Sequence, residues 1–155
     1  MLAALSAAGC DRAAPEAAPP PRIAAGQWEI RSAVIDARGP TMPVMARDRL
    51  IGPRPTRRFC LNRAQAERVD ASFLAQRPGD CVQRGVALEN GRLTGAMVCN
   101  ERGLPPSVIA LDGRYGPDRY ALRMEMTSPL PDGTTIALYV VAVGQRIGEC
   151  EGEGQ

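Results

Sequence analysis

The sequence predicts a mainly β protein: an antiparallel β-sandwich or partly open β-barrel of about seven strands, with one helix inserted at about 62–76 and two disulfides. Three observations carry this. Short runs of alternating apolar and polar residues, separated by Gly/Pro turns, extend from Gln27 to Ile147. The stretch Cys81 to Cys99, CVQRGVALENGRLTGAMVC, reads as a hairpin around Asn90-Gly91, since both central positions of a type I′ turn need φ > 0. Four cysteines, Cys60, Cys81, Cys99 and Cys150, lie inside this span, none in C-x-x-C spacing, in a chain without histidine. Two structural disulfides in an oxidising compartment fit that pattern better than a zinc site.

At 155 residues the chain is one domain's worth. Residues 1–9 read as a truncated signal and lipobox segment, 10–25 as a lipidated Ala/Pro-rich tether, 26–150 as a single β domain and 151–155 as an acidic tail. The run MLAALSAAG has the apolar character of a signal segment but no basic start, so the true signal is expected to begin upstream. Ala-Ala-Gly-Cys resembles a bacterial lipobox, which makes Cys10 the expected lipidation site. Diacylation of that cysteine would anchor the protein to the membrane, and Asp11 favours the inner membrane. DRAAPEAAPPPRIAAG then extends as a polyproline-like spacer. The expected location is periplasmic.

The elements follow in order. QWEIRSAVI, Gln27 to Ile35, alternates as a half-buried strand with Trp28 as a core anchor. A Gly/Pro loop leads to a weaker strand, Val44 to Ile51, and an extended run resumes at Thr56 to Cys60. Asn62 with Gln65 makes a capping box for the inserted helix, which stops before Pro78-Gly79. After the 81–99 hairpin, Val108 to Tyr115 and Arg119 to Thr127 form a second hairpin. There Tyr120, Leu122, Met124 and Met126 face inward. TTIALYVVAVGQRI, Thr134 to Ile147, is a long last strand with Gly144 as a bulge or bend.

A regular register around the two-residue loop pairs Glu89 with Arg92, Leu88 with Leu93, Val86 with Gly95, Arg84 with Met97 and Val82 with Cys99. Cys81 and Cys99 then lie on opposite faces and are poorly placed to bridge each other, which disfavours Cys81–Cys99 with Cys60–Cys150. The expected disulfides are therefore Cys60–Cys81 and Cys99–Cys150.

The chain also resembles a family of small bacterial exported proteins, domain of unknown function 3617. The residues that carry the resemblance begin with Gly26-Gln27-Trp28-Glu29, Met42-Pro43-Val44-Met45, Arg58-Phe59-Cys60-Leu61 and Gly79-Asp80-Cys81. They continue with Met97-Val98-Cys99, Gly113-Arg114-Tyr115 with Tyr120, and Arg146-Ile147-Gly148-Glu149-Cys150. The resemblance implies a periplasmic location, often with a lipoprotein signal, and no assigned activity.

Several function classes fall away. Without histidine, Ser-His and Cys-His catalysis cannot be built. Bridged cysteines offer no thiolate, and Glu29, Asp48, Glu89 and Glu125 are expected outward and apart. No enzyme, no cofactor and no resident metal are expected. A net charge of +2 selects no nucleic acid, and one Trp, three Tyr and two Phe leave no base-stacking platform.

The expectation is a non-catalytic cell-envelope lipoprotein acting as a binding or structural module. Its partners would be the membrane through Cys10 and either an envelope protein or anionic lipid. Anionic lipid would meet Arg47 to Arg68, where seven Arg stand against Asp48 and Glu67. One alternative is a β-barrel carrier of a small apolar ligand, with Trp28, Val86, Met97, Leu122 and Met124 filling or lining its interior. Another is Cu(I) binding by the thioethers of Met42, Met45, Met124 and Met126.

Overall fold

The structure, a computed structural model, describes residues 22–75, 80–100, 103 and 105–150. Cys10, Asp11, most of the tether, the end of the expected helix and the acidic tail lie outside the described residues. The alternating runs become strands β1 (Gly26–Arg38), β2 (Gly52–Pro53), β3 (Arg57–Leu61), β4 (Cys81–Glu89) and β5 (Arg92–Cys99). Strands β6 (Ser107–Tyr115), β7 (Arg119–Pro129) and β8 (Thr135–Gly148) complete them. They form one eight-stranded antiparallel sheet in the order β2-β1-β8-β7-β6-β5-β4, with β3 also on β1. Strands β4 to β8 are a meander of neighbours in sequence; among the described residues the β1–β8 pairing joins the first strand to the last. The sheet stays open, in keeping with the mainly β reading.

One face of the sheet carries the core. Trp28, Leu61, Leu74, Leu93, Met97, Ile109 and Tyr120 are its largest fully buried side chains. The Trp28 and Tyr120 rings stack with centroids 6.0 Å apart, and the Trp28 indole N–H donates to the Ala24 carbonyl at 3.0 Å. Tyr120 needs a gap to reach that position, and Gly144 provides it. Gly144 pairs with both Ile30 and Tyr120 in regular register, and a Cβ there would overlap the Tyr120 ring. It is therefore neither bulge nor bend; the irregularities of β1–β8 fall at Gln27/Trp28 and Val34/Asp36 instead.

Residues Val44–Leu50 form a helix, α1, not the expected strand. Met, Ala, Arg and Leu are good helix formers, and Pro43 fixes the entry. Its carbonyl accepts the N–H groups of Ala46 and Arg47 at 3.0 Å. The single expected helix is divided into α2 (Arg63–Ala66) and α3 (Ala71–Leu74). The Asn62 capping box forms as read, with both reciprocal bonds at 2.9 Å. Asp70 then caps a new start, its carboxylate accepting the Phe73 N–H at 2.9 Å, and so interrupts the run.

The disulfides are Cys60–Cys150 and Cys81–Cys99, which corrects both expected pairings. The hairpin follows the regular register from Glu89↔Arg92 to Ala87↔Thr94. A bulge then intervenes, and Arg84 pairs with Ala96 and Cys81 with Cys99. Gly85 adopts φ +56°, and Gly85 and Val86 together oppose the single residue Gly95. The extra residue reverses the faces of everything before it. Cys81 turns toward the core, and Val82, expected inside, is 57% exposed. At the other end, Gln27 of β1 pairs with Cys60 on one side and Gly148 on the other, which brings Cys60 and Cys150 within reach, at a Cα separation of 5.4 Å.

Candidate functional site

The core occupies only part of the inner face. Toward the far end of β1 and the near end of β8 the face carries Val34, Leu138 and Val140, joined by Met124 and Met126 from β7. Ile30, Ile109 and Ala142 close the back. These residues line a cavity of about 470 Å³, within the roughly 300–1,000 Å³ usual for small-molecule sites.

The strap between β2 and β3 and the start of β3 form one wall, with Arg54, Pro55 and Arg57 lining the cavity. Pro53 and Pro55 restrict the strap's backbone, and the Arg54 N–H donates to the Ser32 carbonyl of β1 at 2.8 Å. The Arg54 guanidinium donates to the Leu50 carbonyl at the end of α1 at 3.0 Å. That helix buries no residue and leaves Val44 and Met45 each 70% exposed. Among the described residues of the lining only Ser32 and the two arginines are polar, and none is a carboxylate.

The rest of the basic run is committed elsewhere. Arg58 and Arg31 hold Glu29 in ion pairs at 2.7 and 2.6 Å. Glu29 was expected at an outward position; it is 9% exposed, and the two guanidiniums, Arg58 foremost, hold its carboxyl below the usual glutamate range. This pair of contacts ties β3 to β1. Asp36 likewise takes Arg47 at 3.0 Å and Arg38 at 2.8 Å, and its carboxyl is lowered, mainly by Arg47. Arg38 also lies over the Tyr139 ring at 4.6 Å. The seven arginines between 47 and 68 are thus not one uniform patch: Arg47 and Arg58 neutralise carboxylates, whereas Arg54 and Arg57 face the cavity.

Of the expected inward set, Trp28, Met97 and Leu122 fill the core, Val86 packs against it, and Met124 lines the cavity. Among the expected thioether ligands, Met124 and Met126 lie half-buried in the cavity floor and Met45 projects from α1. Among the described residues no cluster of three Cys, Asp or Glu could hold a metal ion. Cys60, Cys81, Cys99 and Cys150 are all bridged and present no thiol. The Tyr120 hydroxyl is buried without a hydrogen-bond partner among the described residues, and burial pushes its pKa up.

The cavity-lining arginines were read within the Arg47 to Arg68 run as a contact for anionic lipid, not as the wall of a cavity. The one available signal was ALYVVAV in β8, where Val140 and Val141 break the alternation and leave apolar residues on both faces. No curated protein and no solved structure matches this chain. Residues 23–150 match the family described as protein of unknown function (DUF3617), and the chain belongs to it.

Proposed function

We propose that this protein is a non-catalytic binding module of the bacterial cell envelope, which receives an apolar ligand on the inner face of its sheet. The observation that carries the reading is the cavity of about 470 Å³ floored by Val34, Met124, Met126, Leu138 and Val140. A carrier in this form uses an open sheet, not a closed barrel. The absence of histidine from the sequence, the bridged cysteines and the ion-paired Glu29 and Asp36 favour binding over catalysis. The lipobox-like Ala-Ala-Gly-Cys and the two disulfides favour a periplasmic domain anchored through Cys10.

Titration with the neutral dye N-phenylnaphthylamine tests the cavity. The expected result is saturable fluorescence enhancement at one site, lost in Val140→Trp with the thermal midpoint retained. Enhancement that does not saturate, or that survives Val140→Trp, rejects the reading. Mass spectrometry of the membrane fraction tests the anchor. An N-terminal peptide starting at acylated Cys10 is expected, and an unacylated Cys10 overturns it.

A further inference from the structure

We infer that the ligand of this cavity is a long-chain fatty acid, its chain on the Val34–Met124–Met126–Leu138–Val140 floor and its carboxylate on Arg54 and Arg57. The inference rests on the apolar-ligand reading above and specifies the head group. Four observations lead to it.

First, the floor has nothing to offer a polar ligand. Its side chains are aliphatic or thioether, and among the described residues Ser32 is the only polar group in the lining besides the two arginines. A ligand that fills the cavity is apolar over most of its length.

Second, charge enters from one side only. Arg54 lies in the strap between β2 and β3 and Arg57 is the first residue of β3, and among the described residues no carboxylate lines the cavity to balance them. Elsewhere among the described residues Arg31, Arg38, Arg47, Arg58, Arg92 and Arg146 are each ion-paired, while Arg49, Arg63, Arg68, Arg84, Arg114, Arg119 and Arg123 are not but do not line this cavity. The two arginines of the cavity form no such pair among the described residues. They present net positive charge at the edge of an apolar floor, which is complementary to an anionic head on an apolar tail.

Third, the donors match a small head. Arg54 already gives one guanidinium N–H to the Leu50 carbonyl. What remains among the described residues is the fork of Arg57 and part of Arg54, enough to hold the two oxygens of a carboxylate in a bidentate pair. A lysine would supply a point charge without that fork.

Fourth, the size selects one chain. A cavity of about 470 Å³ lies in the lower half of the range for small-molecule sites, with room for a single acyl chain and not for the two of a phospholipid.

Displacement of N-phenylnaphthylamine from the full chain tests this, using tetradecanoate, tetradecanol and tetradecyltrimethylammonium below their aggregation limits. Tetradecanoate should bind at least about tenfold tighter than tetradecanol, one charge-assisted hydrogen bond being about 1.5 kcal/mol. The cation should bind weakest. Each methylene removed from the acid should weaken binding about fourfold, equivalent to about 0.8 kcal/mol. Arg54→Ser with Arg57→Ser should bring the ratio of acid to alcohol affinity down to about one, whatever the substitutions do to the two affinities in common; both arginines are exposed, so an unchanged thermal midpoint is expected alongside. Equal binding of acid and alcohol, or an acid preference that survives the double substitution, overturns the fatty-acid assignment and leaves the apolar-ligand reading standing. A dye and an alcohol that both fail to bind remove the two together. Tetradecyl phosphate binding tighter than tetradecanoate also overturns the carboxylate assignment.

Discussion

Gly95 lies against the backbone of Val86, so close that a Cβ on Gly95 would come within 2.6 Å of the Val86 Cα. That approach is the inner side of the bulge that sets Cys81 opposite Cys99. Gly95 itself holds φ +139° and Gly85 φ +56°, so both partners of the bulge use conformations that side chains resist.

Gly85→Val should therefore destabilise the oxidised protein by about 1–3 kcal/mol, the cost of a β-branched residue in that region. Gly95→Ala should cost as much or more, because the added carbon meets backbone and not a flexible side chain. Urea unfolding of both variants measures this. A change within error of zero at both sites would contradict the bulge.

Non-reducing peptide mapping should find Cys60 joined to Cys150 and Cys81 to Cys99. Their sequence separations of 90 and 18 residues give unequal contributions, about 4.6 and about 3.2 kcal/mol on the chain-entropy estimate. Replacing both cysteines of a bridge by serine should lower the unfolding free energy in that order.

Tyr120 and Gly144 offer opposed substitutions at one contact. Tyr120→Phe removes a hydroxyl that has no partner among the described residues while keeping the ring on Trp28. Stability should stay level or rise by up to about 1 kcal/mol, since an unsatisfied buried donor is lost. Gly144→Ala should cost more than about 2 kcal/mol by driving a methyl into the Tyr120 ring. Thermal and urea midpoints of the pair separate the two effects.

Acid should weaken the fold through Glu29 and Asp36. Both carboxyls titrate lower in the native state than in the unfolded chain, so the unfolded state binds protons first. Their contribution is complete above the ordinary carboxylate range. It is lost progressively as pH falls through that range and down through the lowered native values. Glu29→Gln should flatten that part of the stability-against-pH curve and leave the curve near neutrality parallel to wild type. An unaltered acid limb would show that the Arg31 and Arg58 contacts carry no linkage.

Several features were open to reading from neighbours in sequence. Asn90-Gly91 turns the hairpin, with Asn90 at φ 49° and Gly91 at φ 76°. Asn62 and Gln65 make their capping box, and Tyr120 and Leu122 bury on the face that alternation assigns them. Each depends on residues two to four apart, whose side chains and backbone meet whatever the rest of the chain does. The helix at Val44–Leu50 was misread because a short run of apolar residues and arginines fits a frayed strand nearly as well as a single helical turn or two.

The amino-acid sequence by itself determined the β class, the places of β1 and β3 to β8 along the chain, the Asn90-Gly91 turn and the family resemblance, because periodicity and turn chemistry are local. The tertiary structure alone decided the disulfide partners, the burial of Glu29 and the cavity beside Arg54 and Arg57. A bulge changes which face a cysteine occupies without altering the hydropathy pattern that announces the strand. A carboxylate on an outward position is buried only when arginines from another strand close over it. Apolar side chains line a cavity, and do not fill a core, only where the sheet extends past the segments that cover it.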